Sequence, residues 1–196
     1  MSTYTVKVDI DEKWVKKFNK DSTKLCFSHG MLTRTQEVTQ NVFLKWTDVY
    51  SIAAGTQEFS AGTEVTAITD NKKIEFKQRV ELGPEFLLGP PLPDAALKDG
   101  QFAFKNKVEA SAYLYKKISK DGVDVVAPFY VSMNGPNPPG SSILTPKPIT
   151  RLYFANKVET GSMIDDFQSE TIDVDLTGKV HASVKYDVKG DWSLVA

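Results

Sequence analysis

Two runs of alternating side chains bracket residues 42–82, and they constrain the fold more than any other feature of the chain. In the first run Val42, Leu44, Trp46, Tyr50 and Ile52 fall on one side. In the second, Ile74, Phe76, Val80 and Leu82 share one side, while Glu75, Lys77, Arg79 and Glu81 share the other. Successive side chains of a strand point to opposite faces, so each run predicts a strand with one buried face. Gly55, Gly62 and the Asp70-Asn71 pair lie between the runs and predict turns. Together they read as a meander with one wet face, the habit of antiparallel sheets.

The rest of the chain extends the pattern. Tyr4, Val6, Val8 and Ile10 alternate as a first strand. Asp11 can cap a short helix over residues 12–19, with Trp14, Val15 and Phe18 turned toward the sheet. Residues 25–28 form a short strand, His29-Gly30 a turn, and residues 32–40 a loop or edge strand. Residues 83–100 break the pattern, because Pro84, Pro90, Pro91 and Pro93 cannot sit in a sheet interior. Strand character returns over residues 101–118. Asp121-Gly122 is a strong hairpin signal, and residues 123–131 are its partner, interrupted by Pro128. A second proline-rich loop covers residues 134–148. Strands follow at 149–154 and 172–176, and Val180, Ala182, Val184, Tyr186 and Val188 alternate before Trp192 and Leu194 close the chain. About ten strands and one short helix predict an all-β antiparallel sandwich, taken as a single domain over residues 1–196. Phe104-Lys-Asn-Lys-Val-Glu109 echoes in Phe154-Ala-Asn-Lys-Val-Glu159. Two similar halves and a chance match in a Lys/Val/Glu-rich chain explain the echo equally well.

Composition narrows the function. The chain has 196 residues and a formal net charge of −1, with acids and bases interspersed. Lys13, Lys16, Lys17 and Lys20 form a basic face too small for nucleic acid, which is not expected as a partner. No apolar run reaches the ~20 residues of a membrane helix. Residues 1–3 lead straight into a strand, so no signal peptide is expected. With a single cysteine, that points to a cytoplasmic protein, or to one released by a route without a leader.

Chemistry-bearing constellations are sparse. Cys26 with His29 and His181 is the one thiol–imidazole set, but Cys26 lies between Leu25 and Phe27 and reads as a small buried hydrophobe. Neither a serine nucleophile elbow nor a phosphate-binding glycine loop is present. Neither a cofactor nor a transition-metal site is expected. Asp165, Asp166, Glu170, Asp173 and Asp175 offer hard oxygens that suit calcium, with no EF-hand spacing; solvated strand-face charges are the commoner explanation.

Aromatic residues and the second proline loop are the better candidates. Tyr113 and Tyr115 face opposite Leu114, and Tyr153 and Trp192 add rings with polar handles that can stack on a sugar or meet a lipid headgroup. Asn134 and Asn137 bring amides to a stiffened loop. These six residues form the candidate ligand site. At the level of architecture the pattern resembles β-sandwich recognition proteins such as fungal lectins and the related cytolysins. That likeness implies a non-enzymatic recognition protein for a carbohydrate or lipid headgroup. A pore-forming protein using the segment 11–20, or a carrier or enzyme with a barrel-like cavity, are the alternatives. A homo-oligomer is compatible with each.

Overall fold

The computed structural model describes residues 2–29, 32–58, 60–120, 123–132, 134–156, 158, 163 and 169–195. In chain order the elements are β1 (Thr3–Ile10), α1 (Glu12–Lys20), β2 (Lys24–His29), β3 (Leu32–Gln36), β4 (Asn41–Gly55), β5 (Lys72–Ile74), β6 (Gln78–Leu82) and β7 (Leu92–Pro93). They continue as β8 (Phe102–Asn106), β9 (Ser111–Lys120), β10 (Val123–Tyr130), β11 (Gly140–Leu144), β12 (Ile149–Ala155), β13 (Ile172–Asp175), β14 (His181–Tyr186) and β15 (Trp192–Val195). A seven-stranded sheet runs β10-β9-β4-β1-β14-β15, with β5 also paired to β4. Two four-stranded sheets run β11-β8-β6-β7 and β13-β12-β2-β3. The expected all-β class is what the chain adopts. The pairing is antiparallel except for β1 with β14 and β6 with β8, which are parallel.

β4, fifteen residues long, is the spine. Its partners on β9 set the geometry: Trp46 stands opposite Ile118, Tyr50 opposite Lys116 and Ile52 opposite Leu114. Paired residues share a face, and Ile118, Lys116 and Leu114 are two apart, so all six point the same way. At one end of this face Val8, Leu44, Trp46, Ile118 and Val184 pack with Leu25, Phe27, Leu152, Phe154 and Val174 of the β13-β12-β2-β3 sheet. At the other end Tyr50, Ile52 and Leu114 pack with Val80, Leu82, Phe102, Phe104 and Leu144 of the β11-β8-β6-β7 sheet. The two small sheets thus cover successive lengths of one face of the large sheet, and the two cores share β4 and β9.

Two expected strands are each divided between sheets. Ile74 pairs with Tyr50 in the large sheet, whereas Val80 and Leu82 pair with β8. The corner is made by Lys77 at φ 64° and by the Gln78 side-chain carbonyl, which accepts from the Glu75 N–H at 2.9 Å. Residues 42–82 are therefore not one meander. The segment 101–118 likewise splits into β8 and β9 in different sheets. Neither break disturbs the two-residue alternation, which is why neither showed in the pattern. The echoed hexapeptides occupy unlike settings: Asn106 is buried within β8 and donates to the carbonyls of Val108, Asn137 and Pro138, while Asn156 is exposed beyond β12. Prolines keep to the sheet margins, with Pro93 on the edge strand β7 and Pro128 at the irregularity of the edge strand β10. The Asp121-Gly122 turn and the Gly30 half of the His29-Gly30 turn lie outside the described residues. Among the described residues no helix is long and apolar enough to cross a membrane.

Helix α1 begins where expected. The Asp11 carboxylate accepts from the Lys13 N–H at 3.0 Å and caps it. Phe18 is buried on the core side with its ring 4.2 Å from that of Phe154, and Trp14 meets Tyr186 edge-on at 5.6 Å. Phe154 in turn stacks on Trp192 at 5.2 Å. The helix closes the end of the sandwich by joining residues from two sheets in one aromatic cluster. Phe18→Ala removes the central ring of that cluster. It is expected to cost about 3 kcal/mol in a urea unfolding experiment, the usual scale for a buried aromatic truncation.

Candidate functional site

The six residues singled out from sequence do not form one surface. Tyr113 is buried, and its hydroxyl accepts from the Gln57 N–H at 2.9 Å. It belongs with Val131 and Met163 to a small cluster against which Val65, Ala67 and the half-buried Tyr115 pack. Residues 60–69 fold back over this second face of β9, with the Ile68 N–H bonded to the Ala54 carbonyl at 2.9 Å. Alternation correctly separated Tyr113 and Tyr115 from Leu114, but it gave no sign that both faces are covered. Tyr153 is buried with Cys26 and Ala155. Trp192 packs against the first core, and its indole N–H donates to the Glu170 carbonyl at 3.3 Å. Asn134 is exposed; Asn137 is half-buried, its backbone bridged to Ala110 in both directions. Residues 134–148 are no irregular loop, since they contain β11 and are tied down by the Ser111 hydroxyl donating to the Gly135 carbonyl at 2.7 Å.

The other constellations separate as well. Cys26 is fully buried, and burial pushes its thiol up to about 12. His181 is exposed on β14, and the side chain of His29 lies outside the described residues. In the acidic cluster, Asp173 takes two hydrogen bonds from the Arg151 guanidinium at 2.6 and 2.7 Å. That contact holds its carboxyl below the ordinary range. Asp175 accepts from the Thr177 N–H at 2.8 Å. Asp165 and Asp166 lie outside the described residues. Among the described residues no three His, Cys, Asp or Glu side chains gather as a metal site.

A different site stands where the strands change partners. One edge of β4 is lined by β1 up to the Thr3–Thr47 pair, and by β5 from the Tyr50–Ile74 pair onward. Between them, on the other edge, the register to β9 jumps from Thr47–Lys117 to Tyr50–Lys116, leaving Asp48 and Val49 as a bulge. Along this edge the gap between Thr3, where β1 begins, and Ile74, where β5 ends, is open. It forms a cleft of about 340 Å³ between Ser2, Asp48 and Tyr50 on one side and Lys73, Glu75 and Phe76 on the other.

Three features give the cleft its chemistry. The Asp48 carboxylate accepts from the Tyr50 hydroxyl at 2.8 Å and the Tyr4 hydroxyl at 3.1 Å, which fixes it in place. Burial, followed by the Asp48 charge, raises the proton affinity of Tyr50, so that hydroxyl stays a donor. Phe76, 38% exposed, stacks on Phe102 at 4.9 Å and leans on Tyr50 at 5.5 Å. Lys73 and Glu75, both well exposed, pair at 3.2 Å along the opposite rim.

Behind Tyr50 lies Lys116, 1% exposed. Its ammonium stands 5.0 Å from the Phe129 ring centre, 5.4 Å from Trp46 and 5.8 Å from Tyr50. It has no ion-pair partner among the described residues. Desolvation lowers its pKa to about 8, against the opposing field of Asp48. Both Asp48 and Lys116 carry a signal in the sequence: each is a charge in an alternating run whose other members on that side, such as Trp46, Tyr50, Leu114 and Ile118, are apolar or aromatic.

Comparisons of the chain with protein family models, with curated proteins and with solved structures found no match.

Proposed function

We propose that the protein is a non-enzymatic recognition protein and that it binds a carbohydrate in the cleft at the β4 bulge. The observation that carries this reading is the pairing of an exposed aromatic ring, Phe76, with two carboxylates, Asp48 and Glu75, across one cleft. A sugar has an apolar face of C–H groups that suits the ring and a belt of hydroxyls that donate to carboxylates. The volume falls in the ~300–1,000 Å³ range of small-ligand sites. Asp48, held by two tyrosine hydroxyls, is placed to accept from a ligand rather than to carry out a displacement. Phe76 is already stacked on Phe102, so little ordering is left to the moment of binding.

Glycan-array screening followed by calorimetry tests the reading. Phe76→Ala is expected to weaken the strongest hit about tenfold, equivalent to about 1.4 kcal/mol. Glu75→Gln should weaken it by a smaller factor and melt close to the parent, because Glu75 is exposed; Phe76→Ala also gives up the ring contacts to Phe102 and Tyr50, so its affinity is measured well below its own melting temperature. Presenting the same glycan on vesicles separates a free sugar from a glycolipid headgroup. Binding that survives both substitutions unchanged would remove the cleft from consideration.

A further inference from the structure

We propose that the proton on Lys116 regulates the cleft: the caged ammonium holds Tyr50 as the cleft wall, and its loss loosens that wall and weakens ligand binding. The proposal rests on the carbohydrate reading for its ligand, but not for its titrating group.

Tyr50 is shared by two sites. Its hydroxyl donates to Asp48 at 2.8 Å and lines the cleft, while its ring is one of the three that surround the Lys116 ammonium. It also contacts Phe76, the exposed ring of the cleft, at 5.5 Å, and Phe129, another wall of the cage, at 5.6 Å. Any change in the cage therefore reaches the cleft through one side chain. Among the described residues no carboxylate lies within ion-pair distance of the ammonium, so its close contacts are ring faces, with the Asp48 charge acting from farther off; a neutral amine draws on neither. Deprotonation thus removes the cationic contact on the Tyr50 ring and leaves the Asp48 hydrogen bond and the packing of Phe76, Phe102 and Phe129 to hold it.

Among the described residues, the groups around Lys116 leave it as the one that changes charge. On β4 it faces Asp48 and Tyr50, and Tyr4 of β1 joins through Asp48. On β10 it lies opposite Ala127 and under Phe129, neither of which titrates. Phe102 of β8 covers Tyr50 at 5.2 Å. Lys73 of β5 and Glu75 just beyond it line the cleft, which Lys116 does not. On β9 itself, alternation turns its neighbours Tyr115 and Lys117 to the opposite face. Burial brings the protonation change down to about pH 8, within reach of solution measurements.

Two measurements on the intact protein test the coupling. The first needs no ligand: lysine and tyrosine side-chain NMR signals are followed from pH 6.5 to 10.5. One lysine is expected to titrate near pH 8, the Tyr50 ring signal should move with the same midpoint, and both transitions should vanish in Lys116→Met. The second uses methyl glycosides of the common hexoses as probes. Their affinity should fall about fivefold from pH 7 to pH 9.5 in the parent and stay flat in Lys116→Met. A Lys116 that titrates above pH 10, a Tyr50 signal that ignores the lysine, or a pH dependence of binding that persists in Lys116→Met would each overturn the proposal. If Lys116 and Tyr50 titrate together but no methyl glycoside binds at any pH, the coupling of lysine to cleft wall is supported and the carbohydrate reading fails.

Discussion

Lys116→Met is expected to make the protein more stable at pH 7, by about 2 kcal/mol. The ordinary lysine value of 10.5 falls to about 8 in the folded chain, a displacement worth roughly 3 kcal/mol against the buried cation. The ring faces return part of that, at roughly 0.5–1 kcal/mol each. Methionine keeps the length of the stem, needs no hydration and packs well against aromatic rings, so it escapes the penalty without opening a cavity. The pH dependence identifies the cause. Below about pH 8 both folded and unfolded chains carry the lysine proton, and the folded chain bears the full cost of burying it. Between about pH 8 and 10.5 the folded chain gives up the proton while the unfolded chain keeps it, so the unfolded state binds more protons and stability rises with pH. Above 10.5 the cost is gone. The stability gap between Lys116→Met and the parent should therefore be widest at pH 7 and close as the pH climbs through that window. Cys26 works in the opposite direction, because its unfolded thiol ionises near 9 and its folded thiol near 12. That contribution is common to both proteins and cancels in the difference. Chemical denaturation of the pair at pH 7, 9 and 10.5 measures the gap; a gap constant with pH would place the effect in packing instead.

Gly55→Ala is expected to destabilise the fold by about 3 kcal/mol, at the upper end of what overpacking a core costs. A Cβ at this position would sit 2.3 Å from Cε2 and 2.4 Å from Cζ of the Tyr113 ring. The ring has no room to yield. It is fully buried, and its hydroxyl is tied to the Gln57 N–H across the segment that covers it. The contact also explains what Tyr113 does: it packs against Gly55 at the end of β4 and holds the Gln57 backbone where the covering segment begins. Tyr113→Leu alone loses packing and the hydrogen bond, at about 2 kcal/mol. Combined with Gly55→Ala it relieves the clash, so the double variant should be less destabilised than the sum of the two. Urea midpoints of the four proteins give the coupling directly. Strict additivity would show that the glycine is there for some reason other than the tyrosine.

Much of the chain could be read from its residues alone. Hydrophobic alternation needs only the geometry of an extended backbone, and Val42, Leu44, Trp46, Tyr50 and Ile52 are all buried on the face it assigned them. The capped helix needs only Asp11 and the spacing of Trp14, Val15 and Phe18, and it forms where those residues place it. Asp48 and Lys116 went unremarked in that reading; the signal that could have found them is a charge on an otherwise apolar face, although no sequence spacing links residue 48 to residue 116.

What tertiary structure decided is pairing. Alternation has a period of two and no direction, so it is blind to which strand lies alongside which and to a corner that preserves parity. Ile74 and Val80 could therefore belong to different sheets without any break in the pattern. Nor can it report that a segment such as residues 60–69 will fold over the second face of a strand and bury Tyr113. The cleft is the clearest case. It exists because β1 stops and β5 starts along one edge of β4, at the same place where the register to β9 jumps and the two cores meet. Three long-range pairings coincide there, and each is set by the burial of surfaces far apart in the chain. Local sequence determined the faces of the strands; only the packed sheets determined that Asp48, Tyr50, Phe76 and Lys116 would meet.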